Sequence, residues 1–340
     1  MSERKGARRD RPTMKDVAVR AGVGLSTVSR VVSGKVGVSR EKTRAVERAI
    51  AELGFSRNEF AHTLRTGTAR TIGVVVPGIS DPFYSVFIGA IEKRALERDL
   101  LVLVASAGED AHENQHVLRR MLGRRLDGLI VVSHEEADLS FLQKEREAGT
   151  PIVFADRPPR GLKADLVVVD NRRGAADAAE HLAAAGHTRI ACIAHIAGQY
   201  TSEERQRGFV EGMRAAGLAT PPELTVIVED EVDVCVEALR EMFSLPEPPT
   251  ALFTTNSRTT KAVLKALRLL DRHPALVGFD DFELAELLVP AITAVAQDPW
   301  AIGEAAVDLL GERIAGLHGP ERRVVLGTRI IARGSGEIAP

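Results

Sequence analysis

Residues 13–32, TMKDVAVRAGVGLSTVSRVV, contain two short helical patterns on either side of a glycine-rich turn. Thr13 and Asp16 have the spacing of a capping box, which satisfies free amides at the start of a helix. An apolar repeat at helical spacing follows, formed by Val17, Ala18 and Ala21. Gly22 and Gly24 tolerate a tight turn before the next pattern. The stretch therefore predicts a helix-turn-helix.

The second helical pattern separates an apolar face from a polar one. Val28, Val31 and Val32 recur at i, i+3 and i+4 and are expected to face a small core. The polar face consists of Ser26, Thr27, Ser29 and Arg30. A second helix of this kind presents its N-terminal side chains to the major groove of DNA, where hydroxyls and arginine can bond base edges. For these four residues alone, a solvated helix face is the alternative.

A third helix completes the N-terminal unit and supports the DNA-binding interpretation. Ser39 is its predicted cap, Gly54 its predicted end, and residues 40–53 carry the apolar repeat Ala45, Val46, Ala49, Ile50 and Leu53. We predict a helix-turn-helix domain over residues 12–57. Residues 1–11 lack an apolar pattern and are expected to form a disordered basic tail.

The charge is distributed unevenly along the chain. Residues 1–70 contain 16 Lys and Arg against 7 Asp and Glu, whereas the remainder contains 29 against 40. The whole chain has a formal net charge of -2. A basic N-terminal head on an acidic body indicates that the head alone meets a polyanion.

Length and composition favour a soluble protein of several domains over a membrane or disulfide-rich protein. The 340 residues, of which 44% are hydrophobic and 27% charged, suit two or three compact soluble units. No run approaches 18 apolar residues, and the charged start MSERKGARRDRPT lacks an apolar signal region, so we expect a cytoplasmic protein without membrane contact. The two cysteines, Cys192 and Cys235, argue against a disulfide scaffold or a cysteine-rich zinc site.

Beyond residue 70, short apolar runs alternate with helical patterns. The runs suit buried parallel strands and lie at 72–77, 100–105, 128–132, 151–155, 166–169, 189–194, 224–228, 251–255 and 275–278. The helical patterns lie at about 84–98, 109–124, 137–148, 175–185, 203–216, 234–243 and 259–270. This alternation predicts a doubly wound α/β architecture, and the restart after Asp170 predicts two similar Rossmann-like lobes.

In such folds, ligands bind beyond the carboxyl ends of the strands. Two facing lobes therefore predict a ligand cleft between them. The candidate positions follow the strands at 78–84, 156–157, 195–205, 256–257 and 280–281.

The head closely resembles the LacI-type bacterial transcriptional regulators. Matching positions are Thr13 to Ala18, Ala21 to Val23, Ser26 to Val31, Ser39, Thr43, Arg44, Ala49, Leu53, Gly54, Asn58, Ala61, Leu64, Arg65 and Gly67. Many positions agree at fixed spacing, and the resemblance continues through the core to about residue 334. It implies a homodimeric repressor that binds near-palindromic double-stranded operator DNA.

The resemblance also implies a hinge helix at about residues 57–66, and it assigns residues 58–70 to the hinge and linker. Leu64 would wedge between bases of the minor groove, and Ala61 would let two hinge helices approach. Thr13, Leu25 and Asn58 would join the DNA contacts. A buried core leucine is the alternative for Leu64. Gly24, Arg57 and His62 depart from the family pattern. Leu25 and Ser26 occupy two positions that help set operator preference in the family, so the operator sequence stays open.

The core resembles a periplasmic sugar-binding protein and is implied to bind a small, carbohydrate-like effector and to dimerise. The resemblance divides residues 71–340 into an N-lobe, about 71–169 plus 298–326, and a C-lobe, about 170–297 plus 327–340. It implies effector-binding roles for Phe83, Tyr84, Arg205, Asn256, Asp280 and Gln297. Ser257 replaces a common aspartate, which leaves the effector class open.

Structural alternatives exist for several polar residues of the core. Asp170-Asn171 suits a turn and lobe crossover, and Gly186-His187 suits a helix end. His195 suits a hydrogen-bonded strand end, Arg205 an exposed helical charge, and Asp280 the cap of a following helix.

No catalytic, cofactor or metal motif stands out. The chain lacks a P-loop, the Rossmann glycine fingerprint and a G-x-S-x-G elbow. Residues 112–116, HENQH, match the spacing of the His-Glu-x-x-His metal motif. His112 and His116 are four residues apart, but the polar residues between them favour a solvated helix. A solute-binding protein without a DNA role and an α/β enzyme are the alternative functions.

Overall fold

The computed structural model describes residues 12–33, 37–55, 68–134, 136–229 and 231–340. It divides after residue 69 into two compact units, here called the head and the core. The hinge predictions for Asn58, Ala61 and Leu64 lie outside the described residues. No described helix is long and apolar enough to cross a membrane.

The head has three helices, α1 (Met14–Ala21), α2 (Leu25–Val32) and α3 (Arg40–Leu53). The capping box is confirmed, because the Asp16 amide donates to Thr13 Oγ1 at 3.4 Å and the Thr13 amide donates to Asp16 Oδ2 at 2.7 Å. Ser39 caps α3, and Gly54 ends it with a left-handed φ of +60°. α2 begins at Gly24 without a side-chain cap.

A small aliphatic core holds the head helices together. Val17, Val28 and Val46, one from each helix, are fully buried and belong to one cluster. Val31 and Val32 pack against its edge. This packing fixes α2 with one face inward, as its apolar repeat predicts, and leaves the opposite face available.

The N-lobe of the core is a six-stranded sheet ordered β2-β1-β3-β4-β5-β11. Its strands are β1 (Thr71–Val76), β2 (Leu101–Ser106), β3 (Gly128–Val131), β4 (Ile152–Ala155), β5 (Asp165–Val169) and β11 (Arg323–Leu326). Its helices are α4 (Pro82–Leu96), α5 (Ala111–Leu122), α6 (Ser140–Glu147) and α11 (Pro299–Ile314). All pairs are parallel, and buried apolar clusters cover both faces of the sheet.

The C-lobe repeats this arrangement with the order β7-β6-β8-β9-β10-β12. Its strands are β6 (Ile190–His195), β7 (Thr225–Val228), β8 (Ala251–Thr254), β9 (Ala275–Phe279), β10 (Thr293–Ala296) and β12 (Arg329–Ile331). Its helices are α7 (Asn171–Ala184), α8 (Tyr200–Ala215), α9 (Val232–Phe243) and α10 (Ser257–Leu270). Only the β10–β12 pair is antiparallel.

The chain passes between the lobes three times, after β5, β10 and β11. The sequence patterns placed β1 to β9 within one or two residues but did not identify β10, α11, β11 or β12. They also started α7 too late. Asp170 accepts a hydrogen bond from the Arg173 amide and so begins this helix at Asn171, although charged residues interrupt the apolar pattern there.

A buried carboxylate fastens the C-terminal segment of the N-lobe. Asp165, with a side chain 2% exposed, accepts two hydrogen bonds of 2.8 Å from Arg313 and one of 2.9 Å from the Arg322 amide. Arg313 also donates to three backbone carbonyls of the loop before β11. Burial opposes ionisation, but these hydrogen bonds outweigh it and lower the pKa of Asp165.

We expect Asp165→Asn to lower the free energy of unfolding by about 2 kcal/mol at pH 7. A fully buried ion pair would cost about 3–5 kcal/mol to break, and the partly exposed arginines reduce that figure. Because the folded-state pKa is lowered, the contribution is complete at neutral pH and is lost as the pH falls below about 4 through that pKa.

Urea denaturation of both proteins across this pH range measures the effect. Asp99→Asn, which removes an exposed partner of Arg70, is the matched control and should change little. An equal loss in the two variants, or a difference that does not shrink in acid, would contradict the account.

Candidate functional site

The outer face of α2 carries the predicted DNA contacts. Leu25, Ser26 and Arg30 are exposed, and Thr27 and Ser29 are half-buried. Arg30 makes no ion pair or hydrogen bond within the described part of the chain, so its guanidinium can meet an external acceptor. Its position is set by Val28, Val31 and Val32 on the opposite face.

Thr13 is also a predicted DNA contact, but it lies at the start of α1 and not on α2. It is exposed, but its hydroxyl donates to Asp16 Oδ2 at 2.7 Å within the capping box. Its structural role in starting α1 is therefore direct, and a DNA contact of its hydroxyl would compete with that bond.

The second candidate site is a cleft between the two lobes of the core, at the carboxyl ends of their strands. All six residues predicted to bind an effector line one cavity there, together with other polar groups. The lining residues are Asp81, Phe83, Tyr84, Glu109, Asp156, Arg157, His195, Gln199, Thr201, Arg205, Asn256, Ser257, Arg258, Asp280 and Gln297. The cavity measures about 60 Å³.

Arg205 is the most deeply held cation of the cleft. It is 3% exposed, which excludes the alternative of a solvated helical charge. Its Nε donates to Asn171 Oδ1 at 2.7 Å, and its Nη1 donates to the carbonyl of Thr255 at 2.7 Å and to Asp280 Oδ2 at 3.1 Å. The guanidinium also lies 3.7 Å from the ring centroid of Phe279. Nη2 has no hydrogen-bond partner among the described residues.

Asp280 is the acceptor opposite this cation. It follows β9 with a left-handed φ of +68°, and its carboxylate accepts from Gln297 Nε2 at 2.6 Å as well as from Arg205. No α-helix follows it, so the alternative of a helix cap is wrong. Burial raises the pKa of Asp280, and nearby Asp156 adds to the shift, while Arg205 and Gln297 oppose it.

The N-lobe wall has a corresponding aspartate. Asp156 follows β4 with a φ of +64°, and its amide donates to Val167 on the neighbouring strand, as the Asp280 amide does to Val295. Aspartate tolerates this left-handed backbone better than most residues. The Tyr84 hydroxyl donates to Asp156 Oδ2 at 3.1 Å, and burial raises the pKa of Tyr84 well above its ordinary value.

Arg157 and Glu109 complete this wall and were not among the predicted effector residues. The Arg157 side chain is 5% exposed and donates to Glu109 Oε2 at 3.1 Å. Arg157 lies just after β4, within the candidate positions at 156–157. Glu109 follows β2 and could have been found by extending the same rule to that strand.

The other polar candidates have structural contacts. Asn256 caps α10 by accepting from the Thr259 amide at 2.7 Å, while it also lines the cavity. His187 is buried between Thr250 Oγ1 and the carbonyl of Ile338, and its amide donates to the carbonyl of Leu182 at the end of α7. His112 and His116 are exposed on α5. Among the described residues, no group of three or more His, Cys, Asp or Glu could hold a metal ion.

Comparison with known proteins identifies the family. The profile of the lacI family of bacterial regulatory proteins matches residues 13–58, and that of a periplasmic binding protein-like domain matches residues 179–336. The ribose operon repressor of Escherichia coli (strain K12) is 33% identical over 328 residues, which cover 95% of this chain and 99% of that protein. The chain belongs to the lacI family of bacterial regulatory proteins.

Other relatives agree with this assignment. The HTH-type transcriptional repressor CytR of the same strain is 30% identical over 335 residues, covering 96% of this chain and 97% of that protein. The structure of the transcriptional regulator CelR with cellobiose has a TM-score of 0.71 at 32% identity, covering 96% of this chain and 100% of that one. The lac repressor dimer bound to operator and the anti-inducer ONPF has a TM-score of 0.85 at 24% identity, covering 96% and 99%, and so shares the fold.

The predicted family and fold class are therefore confirmed. This lacI-family protein is a DNA-binding transcriptional regulator with a helix-turn-helix head and a core of two α/β lobes. The roles of its individual head and cleft residues stay predictions.

Two glycines let α8 of this regulator approach α7 closely enough to position Arg205. A Cβ on Gly208 would collide with the carbonyl oxygen of Arg172, and one on Gly212 would lie 2.5 Å from that of Ala176. Because Arg205 reaches Asn171 at the start of α7, its geometry depends on this close helix contact.

We expect Gly208→Ala to lower the free energy of unfolding by about 1–3 kcal/mol, since a backbone carbonyl must move to admit the methyl group. Urea denaturation followed by circular dichroism measures this loss. Gly123→Ala is the matched control, because a Cβ there meets only ordinary contacts at 3.5 Å or more. Equal stability of the two variants would contradict tight packing of α7 on α8.

Proposed function

We propose that this regulator is a homodimeric repressor. It binds near-palindromic operator DNA through α2 and changes its operator affinity when a small polyhydroxylated molecule, most simply a sugar or sugar derivative, occupies the interlobe cleft. The observation that carries the proposal is the buried Arg205–Asp280 pair, which offers a donor and an acceptor at fixed positions in that cleft.

The DNA-binding half of the proposal is supported by the face of α2. Leu25 and Ser26 are exposed at its N-terminus, where a recognition helix meets base edges, and Arg30 lies one turn further on. An arginine can bond guanine through two hydrogen bonds, and an exposed leucine can contact a thymine methyl. Acting on operator DNA places the protein in the cytoplasm, on the nucleoid.

The balance of charge in the cleft favours a neutral, hydroxyl-rich effector. Three arginines line it, and they are Arg157, Arg205 and Arg258. Four carboxylates oppose them, and they are Asp81, Glu109, Asp156 and Asp280. A sugar hydroxyl both donates and accepts, so it can satisfy both kinds of group, and Phe83 offers an apolar surface beside them. The relatives named for ribose and bound to cellobiose support the same class.

The size of the cavity supports a conformational response. About 60 Å³ is far below the roughly 300–1,000 Å³ usual for ligand sites, so a sugar enters only if the lobes or side chains move. Gln297 and Asn171 lie where the chain crosses between lobes, and both bond the Arg205–Asp280 pair. An effector that bonds this pair would therefore favour one lobe arrangement over another.

Homodimer formation is supported by an exposed apolar segment of the C-lobe. Leu284, Leu287 and Val289 are 61%, 71% and 99% exposed, and Leu288 lies between the last two. So much aliphatic surface in one segment is typical of a contact between protein chains. The lac repressor, which shares this fold, is a dimer in its operator complex.

An enzyme and a solute-binding protein without a DNA role are the competing functions. The curated relatives are transcriptional repressors, and the head matches the lacI family over residues 13–58. We therefore assign no catalytic residue and no cofactor.

Arg30→Ala should reduce preference for an operator, selected from genomic fragments, over scrambled DNA by about 5–150-fold. This range corresponds to the roughly 1–3 kcal/mol of a bidentate base contact. Fluorescence anisotropy at fixed salt measures both affinities. Arg20→Ala is the control, because Arg20 pairs with Glu52 inside the head. Unchanged selectivity of the Arg30 variant would refute its role.

A thermal-shift screen with D-ribose, cellobiose, sugar acids and purines tests the cleft. A molecule that binds the folded chain raises its melting temperature. We expect a sugar to do so for the wild type and for Arg207→Ala, an exposed arginine of α8. Arg205→Ala should abolish the shift.

Arg205→Ala leaves Asp280 buried without its cation, which could unfold the protein and abolish the shift indirectly. A second variant therefore tests the cleft without removing a buried charge. Asn256→Asp keeps the capping oxygen of α10 but replaces the amide donor in the cavity. It should fold normally and weaken the sugar shift. A full shift in both folded variants would exclude the cleft as the sugar site.

A further inference from the structure

Tyr200 joins the two lobes at the start of α8. Its ring belongs to a C-lobe helix, yet it packs against the apolar cluster between the N-lobe sheet and helices α5 and α6. Its hydroxyl accepts a hydrogen bond of 3.3 Å from Nη2 of Arg323, on β11 of the N-lobe. The residue is half-buried. One side chain therefore connects the lobes through an apolar and a polar contact.

The neighbours of Tyr200 belong to the cleft. Gln199 and Thr201 both line the cavity and are 8% and 6% exposed. The Ser202 hydroxyl donates to the carbonyl of His195, which ties the start of α8 to the end of β6. If Tyr200 moves with the N-lobe, the adjacent cavity-lining residues Gln199 and Thr201 must therefore move as well.

The same helix carries Arg205. This residue follows Tyr200 by five positions, and α8 is held against α7 by the close contacts of Gly208 and Gly212. Because a packed helix moves as a unit, Tyr200 and Arg205 cannot shift independently by more than small amounts. The N-lobe contact of Tyr200 and the buried cation of the cleft are mechanically linked.

We propose that Tyr200 and Arg323 form an interlobe latch that holds the start of α8, and with it the cavity, in the lobe arrangement of this structure. When the lobes separate the latch breaks, and the cavity-lining segment at residues 195–202 is released. The regulatory consequence of the latch rests on the proposed function, whereas its mechanical action does not.

Hydrogen exchange of the full chain, measured by mass spectrometry without sugar or DNA, tests the latch. Tyr200→Ala should raise exchange in peptides covering residues 196–206 by about tenfold, because it removes both contacts. Tyr200→Phe keeps the ring and should raise it by about threefold, an amount suited to one exposed hydrogen bond. Peptides of α10, in the same lobe but away from Tyr200, should exchange as in the wild type.

A double-mutant cycle separates the latch from a general loss of packing. Arg323→Ala should match Tyr200→Phe, and the double variant should exchange no faster than either single one. Arg329→Ala, an exposed arginine on β12 of the C-lobe, is the matched control and should leave residues 196–206 unchanged.

Three results would overturn the proposal. They are exchange within twofold of the wild type in Tyr200→Ala, an increase spread equally over α10, and effects that multiply in the double variant. Since neither sugar nor DNA is present, these failures would leave the repressor proposal standing. Conversely, a failure of the operator or sugar experiments would not affect the exchange result.

Discussion

The interlobe cleft depends on the burial of one guanidinium. Removing a cation from water costs several kcal/mol unless charge and hydrogen bonds replace the lost solvation. For Arg205 the replacements come from α7, from the end of β8, and from Asp280 and Phe279 around the end of β9. Because these partners come from three different elements, the requirement to satisfy this charge fixes those elements relative to one another.

Each lobe places one aspartate in the cleft by the same backbone conformation. Asp156 after β4 and Asp280 after β9 both take a left-handed conformation, and the amide of each bonds the third residue of the next strand. The repeated fold therefore brings two carboxylates to face one cavity from opposite sides. Each has its own arginine, which keeps the cleft polar and nearly balanced in charge. Such a cleft suits a neutral partner that can donate and accept.

The elements that could be predicted from the sequence are those whose ends or faces are marked by nearby residues. α3 was predicted over its full length because Ser39 and Gly54 mark its ends, and the strands of each lobe followed from apolar runs. β11 and β12 were not predicted, since short strands that return to an earlier sheet carry no local sign of their neighbours. β10 and α11 were not predicted either. Arg205 and Asp280 kept structural alternatives because they lie 75 residues apart in sequence and only tertiary folding joins them. The burial of Arg157 against Glu109 was hidden for the same reason.

We propose that occupancy of the cleft and affinity for the operator are linked, and such linkage must be reciprocal. The direct measurement is the dissociation constant of the wild-type chain for its selected operator, with and without the sugar that produces the largest thermal shift. The sugar's own dissociation constant is measured with and without operator. We predict that both change by the same factor, at least about fivefold, which lies in the usual range of allosteric coupling. A sugar that binds the cleft but leaves operator affinity unchanged would contradict the account.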